Sequence, residues 1–418
     1  MITEPLDGAG PLAVLVSPDV GVIHRVDPGV TLYDHPRLTP TFAQVCDTRP
    51  LIGTTNPARA GGMADDPRLS LLAALGEAVE RYSAASVPAD RLRHARLDEL
   101  GDHPVVAPDW LDHSIELSAI ERVPIRWARG SRLHARGPAE PAWIAASRAY
   151  LSDDDESGRI AIPTSTGLAC HGDPWQALRS ALLEVIERDA VMITWLTRAP
   201  VTPLRSSLRW TGRRGNQVRF DRAIERYELY LLDSPTGVPV VFAVAFGAEQ
   251  QPGAAVGAAA HPDLVSACRK ALVEAHQTLH WAMHMMADGR RSESDGGDSA
   301  DLDGLDEHVA YYLDHARVGA FDFLRSSGTA PRNVDLGEPR PELDPETGCR
   351  RLLARASAAG LDCFAVDVTA PEVRAAGLWV IRAVVPGLYP LLVGTSARPD
   401  HPRLPAAVQV NPDPHPFP

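Results

Sequence analysis

Glu77, Glu80 and Arg81 form an E-x-x-E-R string, and Glu184, Glu187 and Arg188 form a second one. Each follows an Asp-Pro pair, Asp66-Pro67 and Asp173-Pro174, and in each the first Glu comes ten residues after the proline. An Asp cap with proline in the first turn is a helix start, and residues at i, i+3 and i+4 then share one face. Each helix therefore presents two carboxylates and a guanidinium together, on segments otherwise rich in Ala, Leu, Val and Ile. Such a set is costly to bury unless the acids bind something cationic. A third stretch repeats the geometry with other chemistry. After His261-Pro262-Asp263, Lys270, Glu274 and Gln277 stand at i−4, i and i+3. The i−4 position is Ser180 in the second helix and Ala73 in the first, and Lys270 is the only lysine in the chain.

Carboxylates on facing helices, interspersed with Arg and Lys, suit a magnesium-bound polyphosphate. Mg²⁺ takes one or two carboxylates plus phosphate oxygens, and the cationic side chains neutralise the remaining charge. The competing account is a set of surface helices laced with Glu–Arg pairs at i,i+4. One E-x-x-E-R would favour that account; two with matched spacing, plus a related third helix, favour the nucleotide. No G-x-x-x-x-G-K-[ST] and no kinase-like set occurs.

The elements that must position these residues read as a mixed α/β or α+β domain. The first helix is expected from about Pro67 to Ala85. Strands are expected at Ala142–Ala146, Val238–Phe246, Cys363–Val368 and Leu378–Val385, with Gly253–Ala260 a strand or a close-packed turn. Ala13–Val16 looks β-like, Ile160–Pro163 leads into the small-residue turn Thr164–Ala169, and 152–158 is an acidic loop. Residues 288–305 look disordered, and a second weak segment covers roughly 326–348.

With 418 residues, 44% hydrophobic and 23% charged, the composition is that of a soluble globular protein. No apolar run approaches the roughly 18 residues of a membrane span, and the N-terminus lacks the basic flank of a signal peptide, so a cytoplasmic location is expected. A net charge of −13 argues against sequence-independent nucleic-acid binding. The five cysteines form no C-x-x-C pair and read as free, buried thiols.

The chain ends Asn411-Pro412-Asp413-Pro414-His415-Pro416-Phe417-Pro418, with proline at every second position. Such a segment joins no helix or central strand and favours an extended, polyproline-like form. A disordered terminus is one reading. The other is a stiff arm that loses little entropy on docking in a groove.

Taken together, Ala73–Ser83, Thr164–Ala169 followed by Glu184–Ala190, and Ala260–Asp263 running into Lys270–Gln277 resemble the ATP-binding motifs of the YcaO family. The resemblance continues through Asp367–Arg374 and Val385–Leu388 into the proline-alternating tail, and so covers roughly residues 50–418. It implies an N-terminal flank at 1–50, a YcaO-type α/β catalytic domain at 51–396 and a tail at 397–418 docking at the active site. By carry-over, Glu77, Glu80, Arg81, Ser180, Glu184, Glu187, Arg188, Lys270, Glu274 and Gln277 would bind ATP, with Glu77, Glu80, Glu184 and Glu187 holding Mg²⁺.

The alternating-proline ending is similar to that of the azoline-forming branch, which cyclodehydrates Cys, Ser or Thr of a ribosomally made precursor peptide. The side-chain thiol or hydroxyl would attack the preceding amide carbon, the oxyanion would take the γ-phosphoryl group of ATP, and phosphate would leave. Such catalysis is mainly positioning and charge stabilisation, and the family-implied base is the α-carboxylate of Pro418.

Two departures stand out: many relatives have Ser at the position of Ala73 and Asn at that of Thr166. The resemblance fills the chain, so a separate ThiF-like partner is expected to capture the leader peptide. A flavin-dependent azoline dehydrogenase and a homodimer complete the implied partners. The alternatives are a thioamide- or amidine-forming relative, an inactive scaffold subunit, or an ATP-dependent ligase.

Overall fold

A computed structural model describes residues 9–31, 35–49, 59–87, 89–106, 123–151, 164–221, 223–290, 304–392, 401–405 and 408–417. Three strand–cap–helix units carry the motif residues. The first joins β1 (Arg59–Ala64) to α1 (Pro67–Ala85), the second β2 (Leu168–His171) to α2 (Pro174–Thr197), the third β3 (Ala254–Ala260) to α3 (Leu264–Ala287). In each, an Asp carboxylate caps the helix: Asp66 accepts from Arg68 N at 2.9 Å, Asp173 from Gln176 N at 2.9 Å and Asp263 from Ser266 N at 3.0 Å. Glu77, Glu184 and Glu274 all stand eleven residues after their capping Asp (77 − 66, 184 − 173, 274 − 263). They are therefore equivalent positions of one repeated unit.

Among the described residues, each unit's strand is the edge of a different sheet. β1 ends a three-stranded antiparallel sheet with Ile23–Pro28 and Thr39–Val45. β2 ends a seven-stranded sheet beside Trp379–Val384, which pairs in turn with Cys363–Asp367 and then Ile125–Leu133. β3 ends a five-stranded sheet beside Val240–Phe246. Each helix packs back on its own strand and also touches the next unit: α1 on β2, α2 on β3, α3 on β1. A separate apolar cluster surrounds each helix, with Leu75 and Val79 of α1, Ile186 and Met192 of α2, and Leu272 and Leu279 of α3 buried in the respective cores. The closeness of α3 to β3 needs glycine at 257, where a Cβ would stand 2.2 Å from Ala275 N.

Most of the expected elements are present, α1 with the expected limits. Two expectations are corrected. Ala13–Val16 is not a strand: Gly10–Leu15 forms a 3₁₀ helix, opened by Pro11 and burying Leu12 and Leu15 three residues apart. The 326–348 segment is not weak. Arg332–Asn333 pairs in parallel with Thr202–Arg205, Leu336 is buried, and Glu342 reaches Arg179. Its low hydrophobicity misled because a few anchors hold it rather than a periodic apolar face. The acidic loop 152–158, Ile160–Pro163 and residues 291–303 lie outside the described residues.

Candidate active site

The acids meet where the three strand edges face one another. A free edge presents a row of N–H groups that need acceptors, and the glutamates supply them. On their own units, Glu77 Oε2 accepts from Gly61 N at 2.9 Å and Glu274 Oε2 from Ala258 N at 3.2 Å. Glu184 accepts from the backbone at Gly167, just before β2. The second acid of each helix crosses to the next unit. Glu80 Oε1 accepts from Cys170 N on β2 at 2.9 Å, and Glu187 Oε2 from Ala260 N on β3 at 3.1 Å. In α3 that place belongs to Gln277, whose amide nitrogen would be 3.2 Å from a Cβ on Gly61 of β1. The circuit of three units closes there.

Arginines take the second oxygens. Arg81 pairs with Glu77 and donates to Arg59 O at 3.0 Å. Arg188 lies 3.4 Å from Glu184 Oε1 and 3.3 Å from Glu187 Oε1. Burial opposes the charge on Arg188, but Glu187, Glu184 and Glu274 together hold its pKa up. Burial also pushes the carboxyls of Glu80, Glu184, Glu187 and Glu274 above their usual range. The acids reinforce this across the helices: Glu184 and Glu77 act on Glu80, Glu274 and Glu184 on Glu187, and Glu184 and Glu77 on Glu274. Glu77, Glu184 and Glu274 therefore share one electrostatic site. This excess of buried negative charge is what a bound cation relieves.

Ser180 is exposed one turn before Glu184, as is Ala73 before Glu77. Lys270 is exposed, yet the protein around its ammonium displaces enough water to push its pKa down, against the pull of Glu342 and Glu187. Beside it, buried Arg179 donates to Glu342 Oε2 at 2.6 Å and lies 3.3 Å from His261 Nε2. Among the described residues no set of three or more His, Cys, Asp or Glu converges closely enough to hold a metal alone.

Arg382 is a site residue that motif spacing missed. It is 3% exposed and its charge acts on Glu184. Its guanidinium donates to the carbonyls of Thr166, Thr164 (2.7 Å) and Ala149 (3.3 Å), and so holds the turn that delivers Gly167. Burial pushes its pKa down to about 10. A lone Arg inside the apolar strand Trp379–Val384 was the available signal.

The tail is anchored from Asn411 onward. Asn411 N donates to Leu196 O at 2.8 Å, Trp195 Nε1 to Asp413 O at 2.9 Å, and Tyr312 Oη to Pro414 O at 2.5 Å. His415 accepts from Phe417 N at Nδ1 (3.3 Å) and donates from Nε2 to Leu392 O (2.8 Å), which assigns its tautomer. Phe417 is fully buried, 4.0 Å from ring centroid to the Arg188 guanidinium carbon. Pro418, the expected base, lies outside the described residues.

A strand-edge circuit of half-buried acids, arginines and a lysine defines a site for a cation-bound anion on a mixed α/β scaffold. A profile described as YcaO cyclodehydratase, ATP- and Mg²⁺-binding, matches residues 61–389, and the chain belongs to that family. ATP and Mg²⁺ are therefore its cofactors. Among solved structures, a heterocyclase in complex with substrate and cofactor is 19% identical, with a TM-score of 0.70, over 94% of this chain and 54% of that one. This chain thus spans about half of that heterocyclase. YcaO from Methanopyrus kandleri, bound with AMPPCP and Mg²⁺, is 19% identical, with a TM-score of 0.60, covering 94% of this chain and 92% of that one. The E. coli microcin synthetase McbBCD complex contains a chain 15% identical, with a TM-score of 0.63, covering 94% and 96%. These likenesses establish the fold. A search of curated proteins returns no significant match. No helix among the described residues is long and apolar enough to cross a membrane.

Proposed function

We propose that the chain cyclodehydrates Cys, Ser or Thr residues of a ribosomally made precursor peptide to thiazolines or oxazolines. The observation that carries this reading is the convergence of Glu77, Glu184 and Glu274 with the docked tail at Arg188. Family membership supports it, as does the likeness to a heterocyclase and to a chain of a microcin synthetase.

In this reading Glu77, Glu80, Glu184 and Glu187 would hold Mg²⁺, while Arg81, Arg188, Ser180, Lys270, Glu274 and Gln277 would hold the nucleotide. ATP supplies the phosphoryl group that converts the amide oxygen, otherwise a very poor leaving group, into one that departs within phosphate. The chain's own work is positioning and charge compensation. Backbone N–H groups hold one oxygen of each glutamate still, and the arginines limit repulsion among the acids. Arg382 fixes the turn before β2. The attacking thiol or hydroxyl must also lose a proton, and the tail is the element proposed to bring the base, the Pro418 carboxylate. The substrate's leader is captured by a ThiF-like partner, a flavin-dependent dehydrogenase oxidises the azolines, and the chain acts in the cytoplasm as a homodimer.

The test is incubation with ATP, Mg²⁺, the precursor peptide encoded beside the gene and the partner protein, followed by mass measurement. Loss of one water per ring, matched by phosphate release, is the expected product. Retention of mass, or exchange of oxygen for sulfur, would replace the reading.

A further inference from the structure

Behind Glu184 lies a cavity of about 60 Å³, several times the 10–15 Å³ that one water needs. Val185 lines it, while its neighbour Glu184 belongs to the acid circuit. Its polar walls are Ser147, Arg148, Thr166 and Arg382, and no carboxylate occurs among its described lining residues. In a chain of net charge −13 that is an unusual wall. Ser147 is 2% exposed, yet among the described residues its Oγ has no hydrogen-bond partner, and neither has the buried Oγ1 of Thr166. A buried hydroxyl without a hydrogen-bond partner is destabilising, so both expect an occupant. Water would satisfy hydroxyls alone; the two guanidinium groups on the same wall select an anion. Arg382 donates to Ala149 O on one side and to Thr164 O and Thr166 O on the other, so the chamber is built and held open.

We propose that this cavity binds a small oxyanion, specifically the inorganic phosphate released beside it. The idea rests on the ATP-consuming reading above for the source of phosphate. Ser147 and Thr166 donate their hydroxyl protons to it, and Arg148 and Arg382 balance its charge. A substrate carboxylate offers related chemistry, and the test separates the two sources.

Calorimetric titration of the full chain with inorganic phosphate, without ATP, Mg²⁺ or peptide, is compared with titration by acetate. Saturable phosphate binding is expected, and it should weaken about tenfold or more in the Ser147→Ala/Thr166→Val double variant. Arg148→Met, at a partly exposed position, should weaken it likewise and covers the case in which the double variant fails to fold. Equal phosphate affinity in wild type and Arg148→Met, or acetate bound in preference to phosphate, would overturn the assignment. A chain that binds phosphate here but forms no ring refutes only the cyclodehydratase reading. One that forms rings without binding phosphate refutes only this site.

Discussion

The ring of Phe417 lies directly under the guanidinium of Arg188, 4.0 Å from centroid to the central carbon. Arg188 also faces Glu184 and Glu187. The end of the described tail and the acid circuit therefore share one residue. Phe417→Leu keeps most of the buried volume but removes the cation–π contact, worth about 1–2 kcal/mol when desolvated. Ring formation should drop while ATP affinity changes little. Product mass and nucleotide titration measure the two separately, and equal ring formation by the variant would uncouple the tail from catalysis.

Glu187→Ala should abolish peptide-dependent phosphate release. It removes a carboxylate from the circuit and leaves Ala260 N without its acceptor. Glu77→Ala should do the same through Gly61 N. Wild-type phosphate release in either variant would dismiss the circuit as a nucleotide site.

Removal of Mg²⁺ should lower stability wherever nucleotide is present. Ligand at about 100 times its Kd adds about 2.7 kcal/mol to the folded state. The thermal midpoint with ATP and Mg²⁺ should therefore exceed that with ATP and EDTA. Identical midpoints would mean that the acids do not take the metal.

Acid should release the tail. Burial first, then His308 stacked at 4.0 Å, pushes His415 down to about 3 from its ordinary 6.5. The depressed folded value means that docking is complete above about pH 6.5. As pH falls towards 3 the freed tail takes up a proton that the docked one refuses, and docking weakens by about 1.4 kcal/mol per pH unit. Trp195 fluorescence should report it, because its indole donates to Asp413 O. His415→Gln should flatten the profile between pH 6.5 and 5; an unchanged slope would assign the effect elsewhere.

Arg382→Met should destabilise the protein by about 3 kcal/mol, since it strands the buried carbonyl of Ala149 and frees the half-buried ones of Thr164 and Thr166. Denaturant unfolding measures this, and a loss under about 1 kcal/mol would show that the turn holds itself.

The helices and their acids were legible because both depend on local rules. A capping Asp, a first-turn proline and i, i+3 spacing suffice to put Glu77 with Glu80 and Glu184 with Glu187 on common faces. Which backbone each acid would grip was not legible. Glu80 reaches Cys170 ninety residues on (170 − 80), and Glu187 reaches Ala260 seventy-three on (260 − 187). Those partners follow from how the sheets end, and no periodicity encodes that. Arg382 escaped for the same reason, because its strand reads as core. Gly10–Leu15 misled because a short apolar run satisfies strand and 3₁₀ patterns alike until burial is known.

The strand edges at β1, β2 and β3 carry a consequence for the whole molecule. Apolar side chains already run from the three-stranded into the seven-stranded sheet and from there into the five-stranded one, so the mutually repelling acids are the weak line in an otherwise shared interior. A divalent ion placed in that seam would act as a keystone, drawing the three helices together where only their like charges now meet.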